Sequence, residues 1–152
     1  MGASGLGREI LVLLHQINDV QPTWNILGFY DDDPTLAGTS INNQPYLGTV
    51  AELQQAKSTL SVAVAVGSPK VKEQIVNRLQ QNAYINFPVI VHPLSLTQPY
   101  QQVTIGQGTI ISRGCVLTSN IGIGEHVFIN LNCTIGHDVS LKNYTALMPG
   151  AN

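Results

Sequence analysis

Two neighbouring polar residues, His137 and Asp138, have the side chains best suited to move a proton. An imidazole accepts a proton from an amine or a hydroxyl near neutral pH, and a carboxylate can fix its tautomer. Because adjacent residues of a strand point to opposite faces, the spacing does not predict that Asp138 touches His137 within one chain. His137 is therefore a candidate general base, and the alternative is a polar residue that only occupies a turn.

Other catalytic signatures are missing from the chain. It has no G-x-S-x-G, H-E-x-x-H or C-x-x-C sequence, so neither a covalent nucleophile nor a metal site is predicted. Of the remaining histidines, we expect His15 on a helix surface, His92 in a structural position before a proline, and His126 facing solvent.

A glycine-rich segment, Gly2 to Gly7, has the pattern G-x-x-G-x-G and precedes an apolar helical stripe. Glycines at a helix start let backbone N–H groups approach an anion, and the helix dipole favours a phosphate there. The spacing departs from the standard dinucleotide motif, and the alternative is a tight turn that only closes a βα unit.

Two acidic residues, Asp31 and Asp32, follow a predicted strand at Trp24–Tyr30. An acidic residue after the second strand of a nucleotide-binding unit usually meets a ribose hydroxyl. The alternative is a solvated acidic turn. Taken together with the glycine segment, the two aspartates favour a bound nucleotide.

The last third of the chain carries a six-residue repeat. An α-helix cannot use this period, and a strand alternates every two residues, so the repeat predicts a parallel β-helix in which three hexads form one coil. Cys115 and Cys133 lie 18 residues apart, and we expect them to stack as reduced packing residues. The inward side chains should be the aliphatic residues of the repeat: Ile105, Ile111, Leu117, Ile123, Ile129, Ile135, Leu141 and Leu147.

Upstream of the repeat, predicted strands alternate with helices, which indicates an α/β domain with a parallel sheet. Further strands are predicted at Leu60–Val66 and Phe87–Val91, and a capping box should open a helix at Thr49–Ala56. A helix from Pro69 to about Asn82 should bury four apolar side chains: Val71, Ile75, Val76 and Leu79.

The predicted organisation is a nucleotide-sugar-binding α/β domain at 1–93, a linker at 94–102 and the β-helix at 103–152. No strand precedes Gly2, and the repeat stops at Asn152, so we expect the chain to be a portion of a longer protein. The net charge of −2, with no basic stripe, argues against nucleic-acid binding. No apolar run or signal peptide is visible, so no membrane span and a cytoplasmic location are expected.

The combined motifs resemble the bacterial sugar acyltransferases, the family of sialic acid O-acetyltransferases and UDP-4-amino-sugar N-acetyltransferases. The motifs that carry the resemblance are G-A-S-G-L-G, F-Y-D-D-D, V-A-V-G-S, V-H-P and N-x-N-C-T-I-G-H-D, which occur in this order over nearly the whole chain. The resemblance implies a small Rossmann-like N-terminal domain, a left-handed β-helix, and homotrimers that bind acetyl-CoA as co-substrate between neighbouring subunits.

By matching positions, the resemblance also implies roles for individual residues. His137 would be the general base, Asp138 its acidic partner, and Asn130 a polar residue near the acceptor group. The nucleotide would be held by the residues that match the family's pocket, namely Gly2, Ser4, Gly5, Asp31, Asp32 and Gly67.

The implied activity is acetyl transfer from acetyl-CoA to an amino group or a hydroxyl of a sugar or nucleotide sugar in bacterial surface glycan biosynthesis. Two alternatives remain open at this point. One is an acetyltransferase for a different small acceptor, resembling those for serine or galactosides. The other is a non-catalytic, trimeric hexapeptide-repeat scaffold.

Overall fold

The computed structural model describes all residues, 1–152, and the chain forms two compact units, Met1–Phe87 and Pro88–Asn152. None of its helices combines the length and the apolar character that crossing a membrane requires. The first unit contains α1 Gly5–Val20, β1 Phe29–Tyr30, β2 Ser40–Ile41, β3 Gln44–Gly48, α2 Val50–Leu53, β4 Leu60–Ser61, α3 Pro69–Leu79 and β5 Ile85–Asn86. The second contains β6 Ile90–Val91, β7 Val103–Ile105, β8 Ile110–Ile111, β9 Val116–Leu117, β10 Ile121–Ile123, β11 Phe128–Ile129, β12 Thr134–Ile135, β13 Ser140–Leu141 and β14 Ala146–Leu147.

The first unit is built around the extended segment 1–3. On one side the Gly2 N–H donates to the Tyr30 carbonyl at 2.8 Å, and β1 pairs in parallel with β3. On the other side the Ala65 N–H donates to the Met1 carbonyl at 2.7 Å, and β4 pairs in parallel with β5. Numbered along the chain, the five parallel segments therefore lie in the order 3-2-1-4-5, the arrangement of a Rossmann-like sheet.

Two helices differ in how well the sequence predicted them. The capping box of α2 is confirmed, because the Thr49 hydroxyl accepts from the Glu52 N–H and the Glu52 carboxylate accepts from the Thr49 N–H. The inward face of α3 was predicted wrongly at one position. Val71 is 43% exposed, whereas Lys72 is buried on the same face as Val76 and Leu79, and this burial lowers the pKa of Lys72 to about 8.

The second unit is a parallel β-helix, as the six-residue repeat predicts. Each strand pairs in parallel with the strand one coil later, and the register Ile110↔Phe128 and Thr104↔Gly122 corresponds to a step of 18 residues. The predicted aliphatic residues line the interior, and the most deeply buried are Ile111 and Ile129, at 0% exposure. Cys115 and Cys133 are buried, free thiols in the same interior cluster, as expected.

A left-handed residue marks every corner of the β-helix. Such a residue appears at every sixth position, and from the second coil onward its backbone N–H donates to a carbonyl of the preceding coil, as Asp138 does to Ser119 at 3.1 Å. The left-handed conformation is accessible to Gly, Asn and Asp more easily than to other residues, which explains the frequent Gly and Asn between the aliphatic positions. The nine corner residues are Gln102, Gly108, Gly114, Asn120, His126, Asn132, Asp138, Tyr144 and Gly150.

The segment before the repeat differs from its predicted organisation. The strand predicted at Phe87–Val91 is divided into β5 and β6, because Pro88 has no N–H to continue a ladder. β6 pairs with β8, so the two compact units divide before Pro88 and not after Pro93. The stretch 94–102, which sequence analysis assigned to a linker, makes hydrogen bonds to the first coil.

Two polar side chains of that stretch cap the first coil. The Ser95 hydroxyl donates to the Ser112 carbonyl at 2.9 Å and accepts from the Cys115 N–H at 3.0 Å. The Gln101 amide donates to the carbonyls of Leu117 and Thr118 at 2.7 and 3.0 Å. These side chains satisfy backbone groups that in later coils are satisfied by a neighbouring strand.

Removing the Ser95 hydroxyl should therefore destabilise the β-helix. Ser95→Ala leaves the buried Ser112 carbonyl and Cys115 N–H unsatisfied, and each such group costs about 1–3 kcal/mol. Urea denaturation should show a lower midpoint with an unchanged slope. Ser140→Ala is the matched control, since Ser140 is exposed and its side chain makes no hydrogen bond. Equal midpoints for the two variants would contradict the capping role of Ser95.

His92 caps a 3-10 turn in the same segment and should make the stability depend on pH. Its Nδ1 accepts from the Leu94 N–H at 3.0 Å, and burial, assisted by the positive charge of Arg113, lowers the pKa of His92 from its usual 6.5. The unfolded chain therefore binds more protons below pH 6.5, so the stability that neutral His92 provides is lost as the pH falls from there. His92→Asn keeps a capping oxygen, and its free energy of unfolding should fall less between pH 7 and pH 5 than that of the wild type. The same change at exposed His15 should leave the wild-type slope intact.

Candidate active site

His137 and Asp138 form a hydrogen-bonded pair on the surface of the β-helix. The His137 Nδ1 and an Asp138 carboxylate oxygen lie 2.7 Å apart, and the two side chains are 78% and 70% exposed. The expectation that neighbouring side chains diverge does not apply here, because Asp138 is a corner residue with φ of +61° and the backbone is not extended at this point. The corner geometry thus brings together two residues that a straight strand would separate.

The pairing determines which nitrogen of His137 can act as a base. A carboxylate only accepts hydrogen bonds, so Nδ1 carries the proton in the neutral imidazole and the lone pair is on Nε2. Gly136 precedes the pair, and the space around its Cα is open, with no atom within 4 Å of an added Cβ. An acceptor molecule can therefore approach the Nε2 side from solvent.

Asn130 does not join this pair within one chain. It lies at the end of β11, one hexad before the corner that carries Asp138, and its side chain accepts from the Leu131 N–H at 2.8 Å. The adjoining surface carries exposed apolar side chains, with Val116 at 55%, Leu131 at 42% and Met148 at 70% exposure.

The predicted exposure of His126 was wrong. His126 is only 2% exposed, and its ring stacks on Tyr144, one coil later, with ring centroids 5.5 Å apart and planes at 6°. The ring also covers Gly108, one coil earlier, where an added Cβ would collide with it. Sequence analysis treated every corner as solvent-facing, but a large side chain at a corner can fold over the glycine below it.

In the first unit, the glycine segment follows the central extended segment and opens α1. Gly2 has φ of +97°, and an added Cβ would lie 2.5 Å from the Ala65 carbonyl oxygen. Gly7 approaches the Gly2 carbonyl so closely that a Cβ would collide with it. These two glycines therefore serve the fold, whereas Gly5 has open space where its Cβ would stand.

Ser4 and Gly5 leave the start of α1 available to a ligand. Ser4 is the N-cap residue of this helix, is exposed, and its side chain makes no capping hydrogen bond. The first-turn N–H groups of a helix are unpaired within it and carry positive partial charge, so they can bind an anion such as a phosphate.

Gly67 lies at the same edge of the sheet. It follows the fourth parallel segment and is exposed, and an added Cβ would meet no atom within 4 Å. The order 3-2-1-4-5 reverses direction between the first and fourth segments, and ligands of open α/β sheets bind at the carboxyl ends of the strands at that point. The structure thus brings the predicted residues Gly5 and Gly67 to the two sides of one crevice.

The two predicted aspartates lie at the end of β1, and both are engaged with backbone N–H groups. One Asp31 carboxylate oxygen accepts from the Ala3 N–H at 2.8 Å and the other from the Asp33 N–H at 2.9 Å. One Asp32 oxygen accepts from the Val50 N–H at 2.8 Å. Sequence analysis did not anticipate these bonds, although the short acidic run after a strand is a usual setting for side chains that bond to nearby N–H groups.

The two-unit architecture places the chain among the bacterial sugar acyltransferases. Residues 1–79 match the family described as the PglD N-terminal domain, and the chain belongs to that family.

Three relatives illustrate the likeness. The chain is 28% identical over 151 residues to GDP-perosamine N-acetyltransferase of Escherichia coli O157:H7, which covers 99% of this chain and 66% of the relative. Among solved structures, the acetyltransferase domain of PglB from Neisseria gonorrhoeae in complex with acetyl coenzyme A is 26% identical, with a TM-score of 0.85, over 98% of this chain and 68% of that one.

A perosamine N-acetyltransferase from Caulobacter crescentus in complex with CoA and GDP-perosamine is 20% identical, with a TM-score of 0.82, over 97% of this chain and 66% of that one. At this identity the likeness bears on the fold alone. The chain thus spans about two thirds of the length of each of these relatives.

Proposed function

We propose that the protein transfers the acetyl group of acetyl-CoA to an amino group of a nucleotide-linked sugar in bacterial surface glycan biosynthesis, with His137 as general base. The observation that carries the proposal is the 2.7 Å pair of His137 and Asp138, exposed on a hexapeptide β-helix. The printed names of the relatives favour an amino over a hydroxyl acceptor, because they are N-acetyltransferases. Acetyl-CoA is the proposed co-substrate, since the PglB domain was solved with it.

The proposed chemistry is a direct transfer. The acceptor nitrogen forms a bond to the thioester carbonyl carbon while His137 Nε2 takes its proton. The C–S bond then breaks, and the proton passes to the departing sulfur, which leaves as the thiol of coenzyme A. Asp138 holds the tautomer and stabilises the imidazolium that forms, and a backbone N–H of a neighbouring coil would stabilise the oxyanion.

The first unit would bind the nucleotide part of the acceptor. Gly2 and Gly5 let the backbone approach the phosphates, Ser4 offers an unengaged hydroxyl, and Gly67 keeps the opposite side of the crevice open. Asp31 and Asp32 lie at the end of the neighbouring strand. No metal is part of this proposal.

We further propose a homotrimer working in the cytoplasm. Asn130 and His137 belong to different corners of one β-helix, so Asn130 would act on the acceptor only beside the His137 of another copy. A second copy would also cover the exposed Val116, Leu131 and Met148, which form an apolar patch around Asn130. Light scattering coupled to size exclusion would test this, and a monomeric mass would contradict it.

The deciding experiment is release of the coenzyme A thiol by the complete protein. Acetyl-CoA would be supplied with UDP- and GDP-linked amino sugars and with free sialic acid, and His137→Ala would be run in parallel. Histidine-dependent release with an amino-sugar nucleotide supports N-acetylation. Release only with sialic acid would move the assignment to a hydroxyl acceptor, and no release with any acceptor would contradict the enzymatic proposal and favour the scaffold.

A further inference from the structure

We propose that the two aspartates at the end of β1 divide their tasks: Asp31 is a positioning residue that fixes the glycine segment, and Asp32 contacts the ribose. The inference rests on the proposed function, since it assumes a nucleotide in the crevice of the first unit. It assigns different roles to two neighbouring carboxylates that sequence reasoning treats alike.

Asp31 is engaged by the protein on both oxygens. One oxygen accepts from the Ala3 N–H at 2.8 Å, and Ala3 lies between Gly2 and the N-cap residue Ser4. The other accepts from the Asp33 N–H at 2.9 Å, which closes the turn after β1. The Asp31 backbone is fixed as well, since its N–H donates to Gly48 at 3.0 Å and its carbonyl accepts from the Tyr46 hydroxyl at 3.0 Å.

These bonds connect two neighbouring segments exactly where the ligand would approach. The Gly2 N–H already donates to the Tyr30 carbonyl, so the Ala3–Asp31 bond continues the connection beyond the end of β1. The turn at Ala3 and Ser4 in turn sets the direction in which the first N–H groups of α1 point. Asp31 therefore acts on a nucleotide through the backbone of the glycine segment.

Asp32 has a different environment. It is exposed, and only one of its oxygens accepts a hydrogen bond, from the Val50 N–H at 2.8 Å. That bond orients the carboxylate and leaves the second oxygen for a hydroxyl donor. A carboxylate that is held by one N–H and open on its other oxygen suits recognition of a ribose hydroxyl.

Three isosteric variants separate these roles: Asp31→Asn, Asp32→Asn and the control Asp33→Asn. Asp33 undergoes the same charge change two residues away, but its side chain only caps a 3-10 turn through Thr35. Affinity would be measured calorimetrically for UDP and GDP and for their 2′-deoxy and 3′-deoxy forms. The affinity ratio between each nucleotide and its deoxy forms reports the ribose contact, which a purely structural residue would not change.

Asp31→Asn should weaken every nucleotide about tenfold or more with the ribose-to-deoxyribose ratio unchanged, because one amide group would face an N–H donor with its own NH₂. Asp32→Asn should bring that ratio close to one, and Asp33→Asn should remain within about twofold of the wild type. If Asp31→Asn does not fold, Asp31→Glu keeps the charge but displaces the carboxylate, and it should show the same uniform weakening.

Three results would overturn the inference: a ratio near one in the Asp31 variants, wild-type affinity in those variants, or a wild type that does not distinguish the deoxy forms. The first would make Asp31 the ribose contact. A wild type that binds neither UDP nor GDP is a separate outcome, since it would overturn the proposed function itself and the inference with it.

Discussion

Replacement of His137 by alanine should lower the rate of coenzyme A release by a factor of about 10²–10⁴, the usual contribution of a general base. The loss should appear in kcat more than in KM, because the imidazole acts on the proton that moves in the transition state. Since the side chain is 78% exposed, the variant should fold as the wild type does, with an unchanged melting temperature.

His15→Ala is the matched control for this variant, because His15 is also exposed but lies on α1. It should retain full turnover. Asp138→Asn is a graded second variant: asparagine accepts the left-handed conformation at this corner, yet it removes the negative charge beside Nδ1. Its turnover should fall between those of the wild type and His137→Ala. Wild-type turnover in His137→Ala would remove His137 from the mechanism.

Gly7→Ala should lower the free energy of unfolding of the first unit by about 3 kcal/mol, the upper part of the usual range for overpacking. The added methyl group would collide with the backbone carbonyl of Gly2 and lie 3.3 Å from the Phe29 ring. Neither neighbour is the end of a flexible side chain, so α1 would have to move away from the central segment. Chemical denaturation followed by circular dichroism would measure the loss.

Gly5→Ala, two residues away on the same helix, is the control for this effect. An alanine methyl at Gly5 meets no atom within 4 Å, so stability should stay constant or rise slightly. In contrast, its affinity for a nucleoside diphosphate should fall about tenfold, because the methyl group stands where the phosphates would approach the N–H groups. Equal stability losses in the two variants would contradict the division of the glycines into structural and ligand-facing ones.

The sequence predicted the β-helix well because its signal is periodic. The inward side chain at every sixth position is imposed by the interior of the coil, and Ile111 and Ile129 are buried as that rule requires. Chain order likewise sufficed to predict the α/β unit, whose sheet order follows from parallel strands connected through helices.

The errors arose where a side chain depends on its neighbours in space. His126 is buried because Gly108 and Tyr144 lie one coil away on either side, which no local pattern shows. The contact of Asp138 with His137 depends on a left-handed backbone at Asp138, which the expectation of a straight strand could not supply. Likewise, the assignment of 94–102 to a linker overlooked that Ser95 and Gln101 replace a missing strand.

The regular spacing of the left-handed corners restricts how this part of the chain can change in length. Loss or gain of one residue would move every later side chain out of its column, so that aliphatic residues would turn to solvent and corner residues would enter straight segments. A change of 18 residues would instead return each position to an equivalent one, as the pairing of Ile110 with Phe128 shows. The second unit can therefore be lengthened or shortened by whole coils, whereas the catalytic pair has no freedom to shift by a single residue.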